Sequence, residues 1–172
     1  MANDFYRQLG TGVSSLTFGV ALSIFIYAAA TGVVASLAAW FLFATSFLLM
    51  LRFWWRYNEL FVQFMPSRNY WHFLLDFAAS FFGILAVLSV GNIQTWSMLG
   101  ALAMLSSAVR CSLSWKEAKN AKKELKKTIY GALGMLVIFG IVYGLAASVS
   151  TISLAIAVFV IALVFVVHAS RK

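Results

Sequence analysis

The sequence predicts an all-α fold: one integral membrane bundle of six transmembrane helices, with the N- and C-termini cytoplasmic. Two observations predict this class. First, 63% of the 172 residues are hydrophobic, only 10% are charged, and the mean hydropathy is +0.92, far above that of a soluble globular domain. Second, the apolar residues form uninterrupted runs, and a helix needs roughly 20 of them to cross a bilayer. A single transmembrane domain over residues 1–172 is therefore expected.

The first two helices come from one long apolar run. No charged residue occurs between Val13 and Leu51, and this run is too long for one crossing but sufficient for two. We expect helices at about 13–31 and 36–56, joined by a turn that contains Gly32.

The third and fourth helices are predicted at about 71–90 and 93–113. A polar segment precedes them, in which Pro66 disfavours a continuing helix. Gly91-Asn92 is a typical turn sequence between the two helices. They should therefore form a hairpin.

The fifth and sixth helices are predicted at about 128–147 and 150–168, with a short polar turn between them. A strongly basic stretch, 114–127, precedes the fifth helix and consists mainly of good helix formers. We expect it to be a cytoplasmic extension of the fourth helix.

The basic residues predict the orientation. All 13 Lys and Arg fall at Arg7, in 52–68, in 110–127 and in 171–172, which are alternate ends of the six helices. The opposite connections carry no Lys or Arg, so the positive-inside rule places both termini in the cytoplasm. Basic residues confined to short links set topology and do not form a nucleic-acid-binding face. The expected location is a prokaryotic cell membrane.

The chain has few residues that are suited to catalysis. It contains two His, one Cys and five carboxylates, without any spacing typical of a nucleophile, a metal site or an acid–base pair. We therefore expect no enzyme activity, no catalytic or metal-binding residues, and no cofactor.

Asp76 is the exception, because it lies inside the predicted third helix, where a charge needs a partner. It is either an ion or proton site, or one half of a structural pair with Arg52, Arg56 or a neighbouring helix end. His72, one turn earlier on the same face, would join either network.

Small and hydroxylated residues leave two further questions open. Gly140-x-x-x-Gly144 is a close-packing motif, used either within the chain or between subunits. The first helix is rich in hydroxyl groups, which either hydrogen-bond to neighbouring backbone or line a watery path. These hydroxyl groups belong to Ser14, Ser15, Thr17 and Ser23.

The second helix resembles the six-helix potassium channels typified by the lysosomal and endosomal potassium channel and its prokaryotic relatives. The residues that carry the resemblance are Ser46-Phe47, Trp54 eight positions after Ser46, and Leu60-Phe61. The resemblance implies a homotetramer in the lipid bilayer that conducts potassium or other monovalent cations, with the first helices around the pore.

The same resemblance assigns residues to roles. A hydrophobic constriction is expected at Val20, Ile24 and Tyr27, which share one helix face. Pore hydroxyl groups are expected from Thr17 and Ser23. A network that positions the pore helix is expected from Ser14, Ser15, Ser46, Trp54 and Asp76.

Two other functions are compatible with the sequence. The first-helix Phe-Ser-Asp of that family aligns with Val13-Ser14-Ser15 here, so a non-conducting scaffold or partner subunit of the same fold is one alternative. A small secondary transporter that uses Asp76 as its coupling carboxylate is the other.

Overall fold

The computed structural model describes residues 2–62, 70–116 and 121–170, and these residues are helical apart from short connections. A π-helical segment, Tyr57–Val62, continues α2, and a short 3-10 turn, Ser114–Lys116, follows α4. The described residues form no strand. The six helices are α1 (Ala2–Ala30), α2 (Leu37–Arg56), α3 (Tyr70–Leu88), α4 (Ile93–Leu113), α5 (Lys122–Leu145) and α6 (Thr151–Ser170).

Two helices begin at side-chain caps. Ser36 accepts a hydrogen bond from the backbone N–H of Ala39 at 3.1 Å, and Asn92 accepts one from that of Thr95 at 3.0 Å. Gly32, in the turn before α2, has a φ of +77°, a conformation that favours glycine. The predicted turns at Gly32 and Gly91-Asn92 thus separate consecutive helices.

Within the described residues, four helices are long and apolar enough to cross a membrane: α2, α3, α4 and α5 with their flanking residues. In α1 and α6 the apolar stretches are shorter, Ser14–Ala30 and Thr151–Val167. The described residues therefore confirm an all-helical architecture with helices that are compatible with a membrane. The cytoplasmic location of the termini stays a prediction. The predicted break at Pro66 lies outside the described residues.

The predicted cytoplasmic extension of the fourth helix over 114–127 is wrong. Helix α4 ends at Leu113, and Lys122 already begins α5, six residues before the predicted start at 128. The physical reason is that Ala121 and Leu125 are buried beside Tyr57 and Leu60. A straight extension of α4 would carry these apolar side chains away from the bundle.

Helix α4 packs against both α3 and α5, while α2 packs against α6. Gly100 permits the close approach of α5, since a Cβ at this position would lie 2.6 Å from Cε1 of Phe139. Helix α1 makes fewer contacts, to α2, α3 and the π-helical segment. Helix α1 is thus attached to the side of the bundle by one narrow face.

Candidate functional site

An ion pair between α3 and α4 lies inside the bundle. The Nε atom of Arg110 is 3.2 Å from Oδ1 of Asp76, and the two residues are 1% and 9% exposed. The hydroxyl of Tyr57 donates to Oδ2 of Asp76 at 3.3 Å, and Nη1 of Arg110 donates to Ser114. Because a buried charge is costly without a partner, this arrangement makes Asp76 and Arg110 mutually dependent.

The partner of Asp76 is therefore a residue at the end of a neighbouring helix, Arg110 of α4. Arg110 lies in the last turn of α4, and Arg56 forms different contacts. His72, one turn before Asp76, is 2% exposed, so it lies inside the same region of the bundle.

A second charged cluster joins α2 to α5. Arg56 contacts Glu59 at 2.7 Å and Glu124 at 3.1 Å, and its Nη2 also donates to Thr128 at 3.0 Å. Lys127 contacts the other oxygen of Glu124 at 2.9 Å.

The two charged clusters lie at the same end of the bundle. They involve the ends of α2 and α4 and the starts of α3 and α5, and Tyr57 follows Arg56 directly. The connections at the other ends of these helices carry no Lys or Arg.

The predicted positioning network is divided among three separate contacts. Ser14 on α1 donates to Oδ1 of Asn58 at 3.3 Å, and Nδ2 of Asn58 donates to the carbonyl of Trp54 at 2.9 Å. Phe18 stacks on Trp54 with ring centroids 4.5 Å apart. Trp54 and Asn58 of the π-helical segment therefore hold α1 against the bundle. Ser15 is exposed and takes no part in this contact.

Ser46 belongs to a different contact. Nε1 of Trp96 donates to Oγ of Ser46 at 2.8 Å, and Ser46 donates to the carbonyl of Leu42 at 2.9 Å. Ser46 thus joins α2 to α4, and Asp76 joins α3 to α4. Neither of these contacts includes α1.

The residues predicted for the constriction differ in exposure. Val20 and Tyr27 are 47% and 59% exposed, whereas Ile24 is half-buried and packs beside Phe25. Ser23 is exposed and donates to the carbonyl of Gly19 at 2.9 Å, and Thr17 is half-buried. The predicted stripe therefore lies along one border of the uncovered face of α1.

The centre of the uncovered face of α1 does not coincide with the stripe of Val20, Ile24 and Tyr27. Its central residues follow each other at alternating intervals of four and three, the spacing of a helix–helix seam. Small side chains recur along it, and a Cβ at Gly12 or Gly19 would meet no atom within 4 Å. We call this the α1 seam, and it consists of Gly12, Leu16, Gly19, Ser23, Ile26 and Ala30.

A cavity of about 130 Å³ lies behind α1, among α1, α2, α3 and α4. Its wall is mainly apolar and includes several aromatic side chains, among them Phe18, Phe25, Trp54 and Phe77. Tyr57, Asp76 and Ser80 bring polar groups to it.

No group of three or more His, Cys, Asp or Glu side chains suited to a metal ion occurs within the parts of the chain that the structure describes. Comparison with protein-family models, with curated proteins and with solved structures found no significant match to this chain.

Three residues of these contacts, Arg110, Asn58 and Trp96, were not predicted from the sequence. For Arg110 a signal existed, because it is the only charged residue within α4, just as Asp76 is the only one within α3. For Asn58 and Trp96 the sequence holds no comparable signal, since polar residues near helix ends are common in membrane proteins.

Proposed function

We propose that this chain is the subunit of a homo-oligomeric, cation-permeable membrane channel, with α1 from each copy around the central axis. The observation that carries the proposal is the α1 seam, which is uncovered from Gly12 to Ala30 and contains glycine, serine and alanine beside Leu16 and Ile26. Helices in a bilayer associate through small residues, which permit close approach of their backbones.

The exposed face of α6 provides a reference. It presents branched aliphatic side chains such as Ile152, Ile156, Val160 and Val164, the surface expected towards lipid. On α1, Leu16 and Ile26 are exposed as well, but so are Ser15 and Ser23. The exposed hydroxyl residues of α6, Thr151 and Ser153, lie in its first turn. This difference favours contact of the α1 face with other protein copies or with a watery path.

The predicted selectivity for potassium and the predicted tetramer belong to the same proposal. Val20 and Tyr27 at the border of the seam supply apolar side chains for a constriction that closes by dewetting, and Ser23 and Thr17 supply hydroxyl oxygens. Gly140 and Gly144 on α5 are also exposed, with open space at each Cβ position. This close-packing motif remains available for a neighbouring subunit.

The transporter alternative receives less support. A coupling carboxylate has to release and rebind its ion, whereas Asp76 is paired with Arg110 and accepts a hydrogen bond from Tyr57. The scaffold alternative predicts the same uncovered seam but no ion conduction. A measurement of potassium flux therefore distinguishes the scaffold from the channel.

The test is potassium flux into liposomes that contain the purified protein. Ile24→Asn and Ser23→Leu should each change the flux or its potassium-to-sodium ratio, because both substitutions alter the α1 face. Ile161→Asn on the exposed face of α6 is the matched control and should leave the flux unchanged. An absence of flux from a folded oligomer would refute the channel and favour the scaffold.

A further inference from the structure

The cavity behind α1 has features that the channel proposal does not explain. Its volume of about 130 Å³ is close to that of engineered apolar cavities of about 150 Å³ that bind benzene. The cavity is also elongated. Its lining extends along α1 from Ser14 to Phe25, and these eleven residue steps of helix rise by about 17 Å. A compact ligand would leave much of this length empty.

The cavity opens on the outer surface of the bundle. Phe73 and Phe77 of α3 line it, and they are also 48% and 58% exposed. In a protein whose helices cross a bilayer, this opening faces lipid chains. The hydrocarbon core of a bilayer is about 30 Å thick, so one leaflet contributes about 15 Å, which matches the length of the cavity.

One polar atom at the cavity lacks a partner. The Nε1 atom of Trp54 is buried and has no hydrogen-bond acceptor among the described residues. Buried indole N–H groups usually find an acceptor, so this atom is suited to an oxygen that the described residues do not supply. Trp54 lies near the charged end of the bundle, where the ester carbonyl groups of a lipid lie in a membrane.

We propose that this cavity binds a segment of one acyl chain of an ester-linked membrane lipid. The chain enters beside Phe73 and Phe77 and lies behind α1, and its ester carbonyl accepts a hydrogen bond from Nε1 of Trp54. The inference goes beyond ion conduction and does not depend on it, because lipid binding is measured without flux.

The experiment uses tryptophan fluorescence of the full-length protein in bilayers with brominated acyl chains, which quench on contact. Trp54 and Trp96 line the cavity and serve as reporters. The other four tryptophans are exposed and are replaced by Phe so that bulk lipid does not dominate the signal. These four are Trp40, Trp55, Trp71 and Trp115.

Gly83→Leu fills the cavity without a backbone clash, because Gly83 lines it and a Cβ there meets no atom within 4 Å. Gly134→Leu is the matched control, since Gly134 is a helical glycine with equally open space that does not line the cavity. Gly83→Ala is a milder variant in case Gly83→Leu does not fold.

We expect brominated lipid to reduce reporter fluorescence by about half. Gly83→Leu should abolish most of this reduction, Gly83→Ala part of it, and Gly134→Leu none. Reporters that are not quenched, or equal quenching in Gly83→Leu and Gly134→Leu, would overturn the proposal.

The hydrogen bond is tested by competition. Unbrominated ester-linked lipid should displace the brominated lipid better than its ether-linked analogue, which has no carbonyl, and Trp54→Phe should remove this preference. Equal displacement by both lipids in the otherwise unchanged reporter protein would refute the role of Trp54.

Discussion

The two charged clusters of this protein lie at the same end of the bundle but differ in burial. In the pair between Asp76 and Arg110 the side chains are 11% and 2% exposed. In the cluster around Arg56, the arginine is 8% exposed, its two glutamates are 29% and 28% exposed, and Lys127 is 57% exposed.

Similar contact distances therefore have different energetic consequences in the two clusters. Taking two charges from water costs several kcal/mol each, so a fully buried pair contributes little net stability but is costly to break. An exposed pair is solvated whether or not it forms, and its removal costs little. The order of the expected effects is therefore set by burial, from Arg110 through Arg56 to Lys127.

The largest effect is expected for Arg110→Met, which keeps the apolar stem of the side chain and leaves the Asp76 carboxylate buried without its cation. The free energy of unfolding, measured by denaturant titration in detergent, should fall by about 3–5 kcal/mol. The double variant Asp76→Leu with Arg110→Met removes both charges and should recover most of this loss. A double variant as unstable as Arg110→Met alone would contradict the account of a mutually dependent pair.

An intermediate effect is expected for Arg56→Met. This change removes contacts to Glu59, Glu124 and Thr128, but the glutamates keep access to water. The free energy of unfolding should decrease by about 1.5–3 kcal/mol, the range for hydrogen bonds to charged groups. Lys123→Met, on the exposed side of the first turn of α5, is the control and should have a much smaller effect. A loss as large as that of Arg110→Met would break the proposed order.

The sequence predicted that Asp76 has a partner, but it did not predict the cluster around Arg56. Six helices and a partner for Asp76 follow from apolar runs and from the cost of an intramembrane charge. The identity of the partner also had a signal, because Asp76 and Arg110 are the single charges of two helices in one hairpin, at similar distances from the turn at Asn92. The single charges of the two helices in this hairpin therefore indicate the pair of Asp76 and Arg110.

Other features of the site were beyond sequence reasoning. Good helix formers on both sides of residue 117 gave no indication that the chain turns back, since only the burial of Leu125 against Leu60 requires it. Likewise, a helical stripe such as Val20, Ile24 and Tyr27 shows which residues share a face, but not which part of that face a neighbouring helix covers. Tertiary packing determines both.

The smallest effect is expected for Lys127→Met. The lysine side chain contacts Glu124 but is mostly exposed, so the free energy of unfolding should change by less than about 0.5 kcal/mol. This small loss should disappear at about 1 M salt, where the Debye length is about 3 Å, because screening weakens an exposed pair. The loss caused by Arg110→Met should persist at the same salt concentration, since a buried pair is screened much less. Equal salt dependence of the two variants would mean that water reaches Asp76 and Arg110 as readily as Lys127, and the distinction between the two clusters would fail.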